Sequence, residues 1–322
     1  MRVVVTGATG FIGTHLLTRL TEEGHEVTAL VRQPAAIPGM RKHGITAVLG
    51  DVGDEASLAS AMRGAEIVFH LARAKAHGAR PSEAFRVNVD GTRATARAAK
   101  RAGVSRFVYA SSSTVYGSRS GFVSETTPVR PDAAYARSKA GAESVVAAEC
   151  GSAGVIARIT AVMGSGCRSW IPLLKSAAAG TLRLAGDGSN QHHPADVSDI
   201  VDGLMRCGFT SAASGRTYNL AGPEPLPISE LRRIMTEAAA DGPVEQPRAY
   251  SAPLLSLYYH TGRILDSSLG MRLPLSESVS FLTANRVLDL TRAKEELGYE
   301  PKVRVESAVR RTIEWLRTHR LL

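Results

Sequence analysis

The chain opens on a short Val-rich run, Arg2–Thr6, that breaks into Gly7-Ala-Thr-Gly10-Phe-Ile-Gly13 and then into an amphipathic stretch over His15–Glu23. β-Branched residues bounded by glycine read as a buried strand, and the periodic stretch that follows reads as a helix. Glycines at such a junction permit a tight turn. The first turn of the helix then offers unpaired N–H groups and the positive end of its dipole to an anion. The combination predicts an α/β sheet whose first turn seats a pyrophosphate, with Gly7, Thr9, Gly10, Phe11, Ile12 and Gly13 as candidate cofactor contacts. The spacing is GxxGxxG rather than the commoner GxGxxG, so its position between strand and helix carries the reading.

The alternation continues. Strands are predicted at His25–Val31, Thr46–Gly50, Glu66–Leu71, Arg106–Ala110, Val155–Ile159 and Thr217–Leu220, and a short one at Pro243–Pro247. Helices are predicted at Glu55–Arg63, Ala84–Ala102, Trp170–Ala179, Asp196–Cys207, Ile228–Ala239, Leu254–Leu265, Arg292–Leu297 and Ser307–His319, with further apolar surface at Val279–Asn285. Strands alternating with helices argue for a Rossmann-type, doubly wound parallel sheet that binds ligands beyond the carboxyl ends of its strands. The second strand ends at Arg32, where NAD-binding versions of this fold place a carboxylate for the ribose 2′-hydroxyl. An arginine there suits a 2′-phosphate, and a charge-assisted bond of roughly 1.5–3 kcal/mol favours NADP(H) over NAD(H) by about ten- to a hundredfold. Asp51, with Val52 after it, follows the third strand and is placed to meet the adenine.

The stretch from Ser111 to Lys139 carries the chemistry. It contains SSSTVYG at Ser111–Gly117 and YARSK at Tyr135–Lys139. Tyr135 and Lys139 share a helix face one turn apart. A phenol has a pKa near ~10 in water, and an ammonium one turn away favours the phenolate. A hydroxyl from Ser112 or Ser113 reaching the same substrate oxygen completes a proton-transfer site for a carbinol or ketone.

These pieces resemble the extended short-chain dehydrogenase/reductases, the NAD(P)-dependent epimerase/dehydratase superfamily. The likeness rests on TGATGFIG (Thr6–Gly13), the Asp51 position, HLA (His70–Ala72), NVDGT (Asn88–Thr92), SSSTVYG, YARSK and ELGYEP (Glu296–Pro301), in the family's order over nearly the whole length. The resemblance implies that Gly7, Gly10 and Gly13 line the pyrophosphate, that Leu71, Ala72 and Ser111 lie along the cofactor, and that Asn88 helps to seat it. It makes Tyr135 the acid/base, Lys139 the residue that bonds the nicotinamide ribose, and Ser112 the polarising hydroxyl, with Ser113 as runner-up. It also implies a homodimer through a four-helix interface built from Ala84–Ala102 and Ala134–Ala148, where small residues permit close approach.

Departures from the family pattern bear on the substrate. Dehydratase members follow the active-site hydroxyl with Asp-Glu; here Ser113 and Thr114 stand there, which argues against removal of water. Members that bind nucleotide sugars carry an Asn after the sixth strand and an Arg in a later segment. This chain has Arg158-Ile-Thr-Ala-Val-Met-Gly164 and Gln191-His-His-Pro-Ala-Asp-Val197, with His192 near the arginine position. The region Pro253–Pro301 is similar to the 3β-hydroxysteroid dehydrogenase and dihydroflavonol reductase branch. The reading is an NADP(H)-dependent oxidoreductase acting on a secondary alcohol/ketone pair of a small molecule, with Ser113, Thr114, Tyr116, Met163 and His192 as candidate substrate contacts. The alternatives are a nucleotide-sugar epimerase or ketoreductase with tightly bound cofactor and, from another class, a non-catalytic NADP sensor. Residues 1–163, joined by 196–222, are expected to form the nucleotide domain, and 164–195 with 223–322 a smaller, mostly helical substrate lobe.

Composition excludes more than it assigns. The net charge is +9, but the arginines are scattered and aromatics are 5%, so no nucleic-acid partner is expected. No apolar run of about 18 residues exists to span a membrane. Cys150, Cys167 and Cys207 are isolated, which suggests reduced thiols in a cytoplasm. His192 and His193 are adjacent and point apart, so no metal is expected. Asp196 reads as a helix cap and Asp199 as an exposed carboxylate.

Overall fold

The computed structural model describes residues 1–74, 81–117, 121–184, 186–240, 242, 249, 257, 261 and 285–322. The expected strand Pro243–Pro247 lies outside them. So do the expected helix Leu254–Leu265, apart from Leu257 and Thr261, and the stretch Val279–Asn285, apart from Asn285.

Strands β1 (Arg2–Thr6), β2 (Glu26–Val31), β3 (Thr46–Leu49), β4 (Ile67–His70) and β5 (Arg106–Ser112) join strands Gly154–Ile159 and Thr217–Leu220 in one seven-stranded sheet. Every pairing in it is parallel. The spatial order is Thr217–Leu220, Gly154–Ile159, β5, β4, β1, β2, β3. The chain therefore winds outward from β1 on one side and returns to its other side at β4. That reversal opens the crevice in which such sheets bind ligands. Pairing of Thr6 with His70 and of His70 with Tyr109 levels the carboxyl ends of β1 and β4, and β5 runs on beyond them to Ser112.

Two expectations shift. The first helix, α1 (Phe11–Glu22), starts four residues before His15, directly after Gly10. The helix expected over Ala84–Ala102 is instead α-helical at Pro81–Phe85, a π-turn at Arg86–Asp90 and α-helical again at Gly91–Arg101. The extra residue of the π-turn falls around Asn88, whose side chain is claimed from outside the helix. The polar loop after SSSTVYG also holds a short strand, Gly121–Val123, paired in parallel with Arg286–Leu288.

Apolar residues pack separately on each face of the sheet and in a second core away from it. The second core joins Met163, Trp170, Leu174, Leu231, Ile234, Val309 and Ile313 around helices Ile171–Ala178, Ile228–Ala239 and Val305–Thr318. Phe11 packs against both the sheet core and this second core, directly above the glycine turn. Among the described residues no helix is long and apolar enough to cross a membrane, and the three cysteines are free thiols.

Candidate active site

The glycine turn is built so that main chain faces main chain. Gly7 has φ +70, and a Cβ on it would stand 2.5 Å from the carbonyl carbon of Leu71 and 2.6 Å from the nitrogen of Ala72. A Cβ on Gly13 would stand 2.3 Å from the Gly7 carbonyl oxygen. Any side chain at either position would force the turn apart. Gly10 caps α1 without a side-chain hydrogen bond, so the first-turn N–H groups are left for an anion. Residues without side chains, an open helix end and the adjoining backbone of Leu71 and Ala72 fit the pyrophosphate of a dinucleotide. Arg32 is exposed at the end of β2. Asp51 follows β3, its carboxylate accepting from the Gly53 N–H at 2.9 Å, while Val52 is buried against Gly91 of the helix Gly91–Arg101.

The residues expected to carry proton transfer stand around the end of β5. Tyr135 lies in the first turn of the helix Ala134–Cys150, and Lys139 one turn later is buried, its Nζ donating to the Ala110 carbonyl at 2.6 Å. Ser112, two residues beyond Ala110, is partly exposed and caps the short turn Ser113–Tyr116; its Oγ accepts from the Thr114 N–H at 3.2 Å and from the Thr114 hydroxyl at 3.0 Å. Ser113 is buried. Burial lowers the Lys139 amine to about 7; the guanidinium of Arg73 pushes it the same way and the carboxylate of Glu143 opposes. Burial raises the Tyr135 phenol above its ordinary value, and Arg73 is the group that opposes the rise. In the free chain the phenol is therefore not lowered by its lysine neighbour, because that amine is itself depressed.

Asn88 shows why the helix is interrupted. Its Oδ1 accepts from the Ala74 N–H at 2.8 Å and its Nδ2 donates to Ser138 Oγ at 2.9 Å, while Ser138 donates to the Tyr135 carbonyl at 2.8 Å. One buried amide thus ties the segment after β4 to the turn that carries Tyr135. A π-turn at a functional site is a recurrent device for turning such a side chain inward. Beneath it, His70 bridges Thr6 Oγ1 at 2.7 Å and Thr92 Oγ1 at 2.9 Å. Burial, then the charge on Lys139, hold its imidazole neutral, down at about 3.

Several residues expected at the substrate or cofactor do other things. Tyr116 is fully buried: its hydroxyl donates to Asn219 Oδ1 at 2.7 Å and accepts from Arg158 Nη1 at 3.0 Å, so it braces the interior. The Ser111 hydroxyl points into the protein and donates to Glu143 Oε1 at 2.5 Å. Met163 is 1% exposed within the second core, among Cys167 and Trp170, and is packing rather than pocket wall. His192 is buried in a two-residue strand beside Asn190, 3.3 Å away. Thr114 is the one expected substrate contact that is both partly exposed and bonded to Ser112. Asp196 does cap the helix Val197–Phe209, but Asp199 is buried and accepts from the N–H groups of Lys302 and Val303 at 3.0 and 2.9 Å. Sequence reasoning passed over Arg73 and Glu143. Glu143 stands four residues after Lys139 on the helix face that also holds Tyr135, and a carboxylate on that face was the available signal.

A family model described as the NAD dependent epimerase/dehydratase family matches residues 3–221. Among curated proteins, the chain is 30% identical to a 3-beta-hydroxysteroid dehydrogenase of Mycolicibacterium neoaurum, over 96% of this chain and 89% of that one. It is 31% identical to a 2-alkyl-3-oxoalkanoate reductase of Stenotrophomonas maltophilia (strain K279a), over 97% and 98%. Among solved structures, it superposes with a TM-score of 0.82 on the crystal structure of gox2253, at 26% identity over 99% of both chains. MoeE5 in complex with UDP-glucose and NAD gives a TM-score of 0.75, also at 26% identity and 99% of both chains.

Proposed function

Because the chain belongs to the NAD dependent epimerase/dehydratase family, we propose that it is an NADP(H)-dependent reductase or dehydrogenase for a secondary alcohol/ketone pair of a small-molecule substrate. The observation that carries this reading is the grouping of Tyr135, Lys139 and Ser112 around the end of β5, with Ser113 and Thr114 where a dehydratase needs carboxylates. The nicotinamide, when bound, supplies or takes the hydride. In the reducing direction the Ser112 hydroxyl holds the carbonyl oxygen and Tyr135 gives it a proton. Lys139, fixed by Ala110, would hold the cofactor ribose, and Asn88 through Ser138 braces the helix turn that carries the phenol. Relatives named as a hydroxysteroid dehydrogenase and a 3-oxoalkanoate reductase support a reductase over an epimerase. The UDP-glucose complex of a structural neighbour favours, as the second reading, a nucleotide-sugar enzyme with retained cofactor. Arg32, exposed at the end of β2, supports NADP(H), and the free thiols support a reducing cytoplasmic setting.

Purified protein assayed against ketosteroids, 3-oxoalkanoates and nucleotide sugars with each cofactor separates the two readings. Turnover of a ketone that needs added NADPH is the expected result; turnover of a nucleotide sugar with nothing added would replace it. Tyr135→Phe should abolish turnover while NADPH affinity stays within about twofold. Arg32→Asp should weaken NADPH binding by roughly tenfold or more, the worth of one charge-assisted bond. Unchanged NADPH affinity in that variant would overturn the cofactor assignment.

A further inference from the structure

We infer that the buried ion pair between Glu143 and Arg158 is a positioning device that clamps the turn carrying Ser112 at both of its ends. Glu143 continues the face of the helix that holds Tyr135 and Lys139, one turn further on. Arg158, from the neighbouring strand Gly154–Ile159, meets its carboxylate through Nε at 3.1 and 3.3 Å and through Nη2 at 2.7 Å. Both residues are buried. The pair then reaches out twice. Glu143 Oε1 accepts from the hydroxyl of Ser111, immediately before Ser112, at 2.5 Å. Arg158 Nη1 donates to the hydroxyl of Tyr116, the last residue of the turn, at 3.0 Å.

Ser112 therefore lies between two anchors that end on one ion pair, while Lys139 pins Ala110 just before them. Tyr116 is held from its far side by Asn219, whose own N–H donates to Glu125 Oε1 at 2.7 Å, so the clamp is backed by fixed partners. A buried ion pair contributes little net stability against a well-packed apolar alternative, and its better-attested use is to fix one geometry. Here the geometry fixed is that of a hydroxyl whose placement governs a proton-transfer site. Glu143 and Arg158 act on Ser112 through Ser111 and Tyr116, and the Glu143 carboxylate also acts on Lys139 through its charge.

The inference rests on the reductase reading only for its turnover assay, so one arm of the test needs neither substrate nor cofactor. The double variant Ser111→Ala/Tyr116→Phe cuts both anchors and leaves the ion pair and every charge in place. Amide hydrogen exchange in the free chain should become faster across residues 111–116. The variant's kcat should fall by roughly tenfold to a hundredfold, as for a displaced catalytic group, with KM and NADPH affinity held within about twofold. Parental exchange rates and parental kcat would overturn the clamp. If the parent reduces no ketone, the functional reading fails while the exchange result still decides the clamp. Should the double variant fail to fold, Ser111→Ala and Tyr116→Phe are made singly: each cuts one anchor and leaves the ion pair in place, and the same pair of outcomes applies.

Discussion

Arg73 is where a single residue governs both members of the Tyr–Lys pair. It is exposed just beyond β4, and its guanidinium donates to the Ala74 carbonyl. From there its charge opposes the burial that raises Tyr135 and reinforces the burial that depresses Lys139. Removing it should move the phenol further up and the amine back towards its ordinary range. Oxidation of an alcohol needs the phenolate as base, so Arg73→Ala should shift the acid limb of the oxidation profile to higher pH and cut oxidation severalfold on that limb. Reduction, which uses the protonated phenol, should hold at neutral pH. pH–rate profiles in both directions check this, and an unmoved oxidation limb would remove Arg73 from the site. The spacing of Tyr135 and Lys139 was legible in the sequence because it is local. The direction of the phenol's shift was not, because burial in the folded chain decides it against the Arg73 guanidinium.

Among the elements, the glycine turn and the strand ends were readable, since local rules dictate them: a turn at φ +70 excludes a side chain wherever the rest of the chain lies. The π-turn at Arg86–Asp90 was not readable, because it exists to satisfy Ala74 and Ser138, which are distant in sequence. Tyr116 and Met163 stayed open between pocket and core for a related reason, and both are buried. Aromatic and thioether side chains beside a catalytic motif suit a pocket and a core equally, and only packing separates the two. Asp199 is the sharpest case, a carboxylate in the first turn of the helix Val197–Phe209 that turns inward to hold the backbone of Lys302 and Val303, just before the helix Val305–Thr318. Asp199→Ala strands two N–H donors of that linker and should cost about 2–3 kcal/mol, the range for hydrogen bonds to a charged acceptor. Urea denaturation measures the loss. A change below about half a kcal/mol would mean that the linker holds without it.

Across the whole molecule, three buried histidines join parts that the sequence keeps apart. His70 ties β1 to the helix Gly91–Arg101 through Thr6 and Thr92. His193 sits 3.0 Å from the Gly222 carbonyl and accepts from the Leu288 N–H at 3.2 Å, which couples the chain beyond the sheet to the strand Arg286–Leu288. His192 lies beside it in the pairing of Gln191–His192 with Leu226–Pro227. Burial is the leading cause in each, lowering His70 to about 3 and His192 and His193 to about 4 from an ordinary 6.5. The unfolded chain thus binds protons at a pH where the folded chain refuses them. Stability is fully present above pH 6.5 and is lost as pH falls towards the folded values, at about 1.4 kcal/mol per pH unit for each histidine that titrates only when unfolded. From pH 6.5 down to about 5 ordinary carboxylates are largely ionised in both states, so this window isolates the imidazoles. Unfolding free energies measured by urea across it should fall steeply, and His193→Asn should reduce the slope by close to one proton. A flat profile, or a slope unaltered by that substitution, would show that these rings take up protons without unfolding and that the joints they form are open to water.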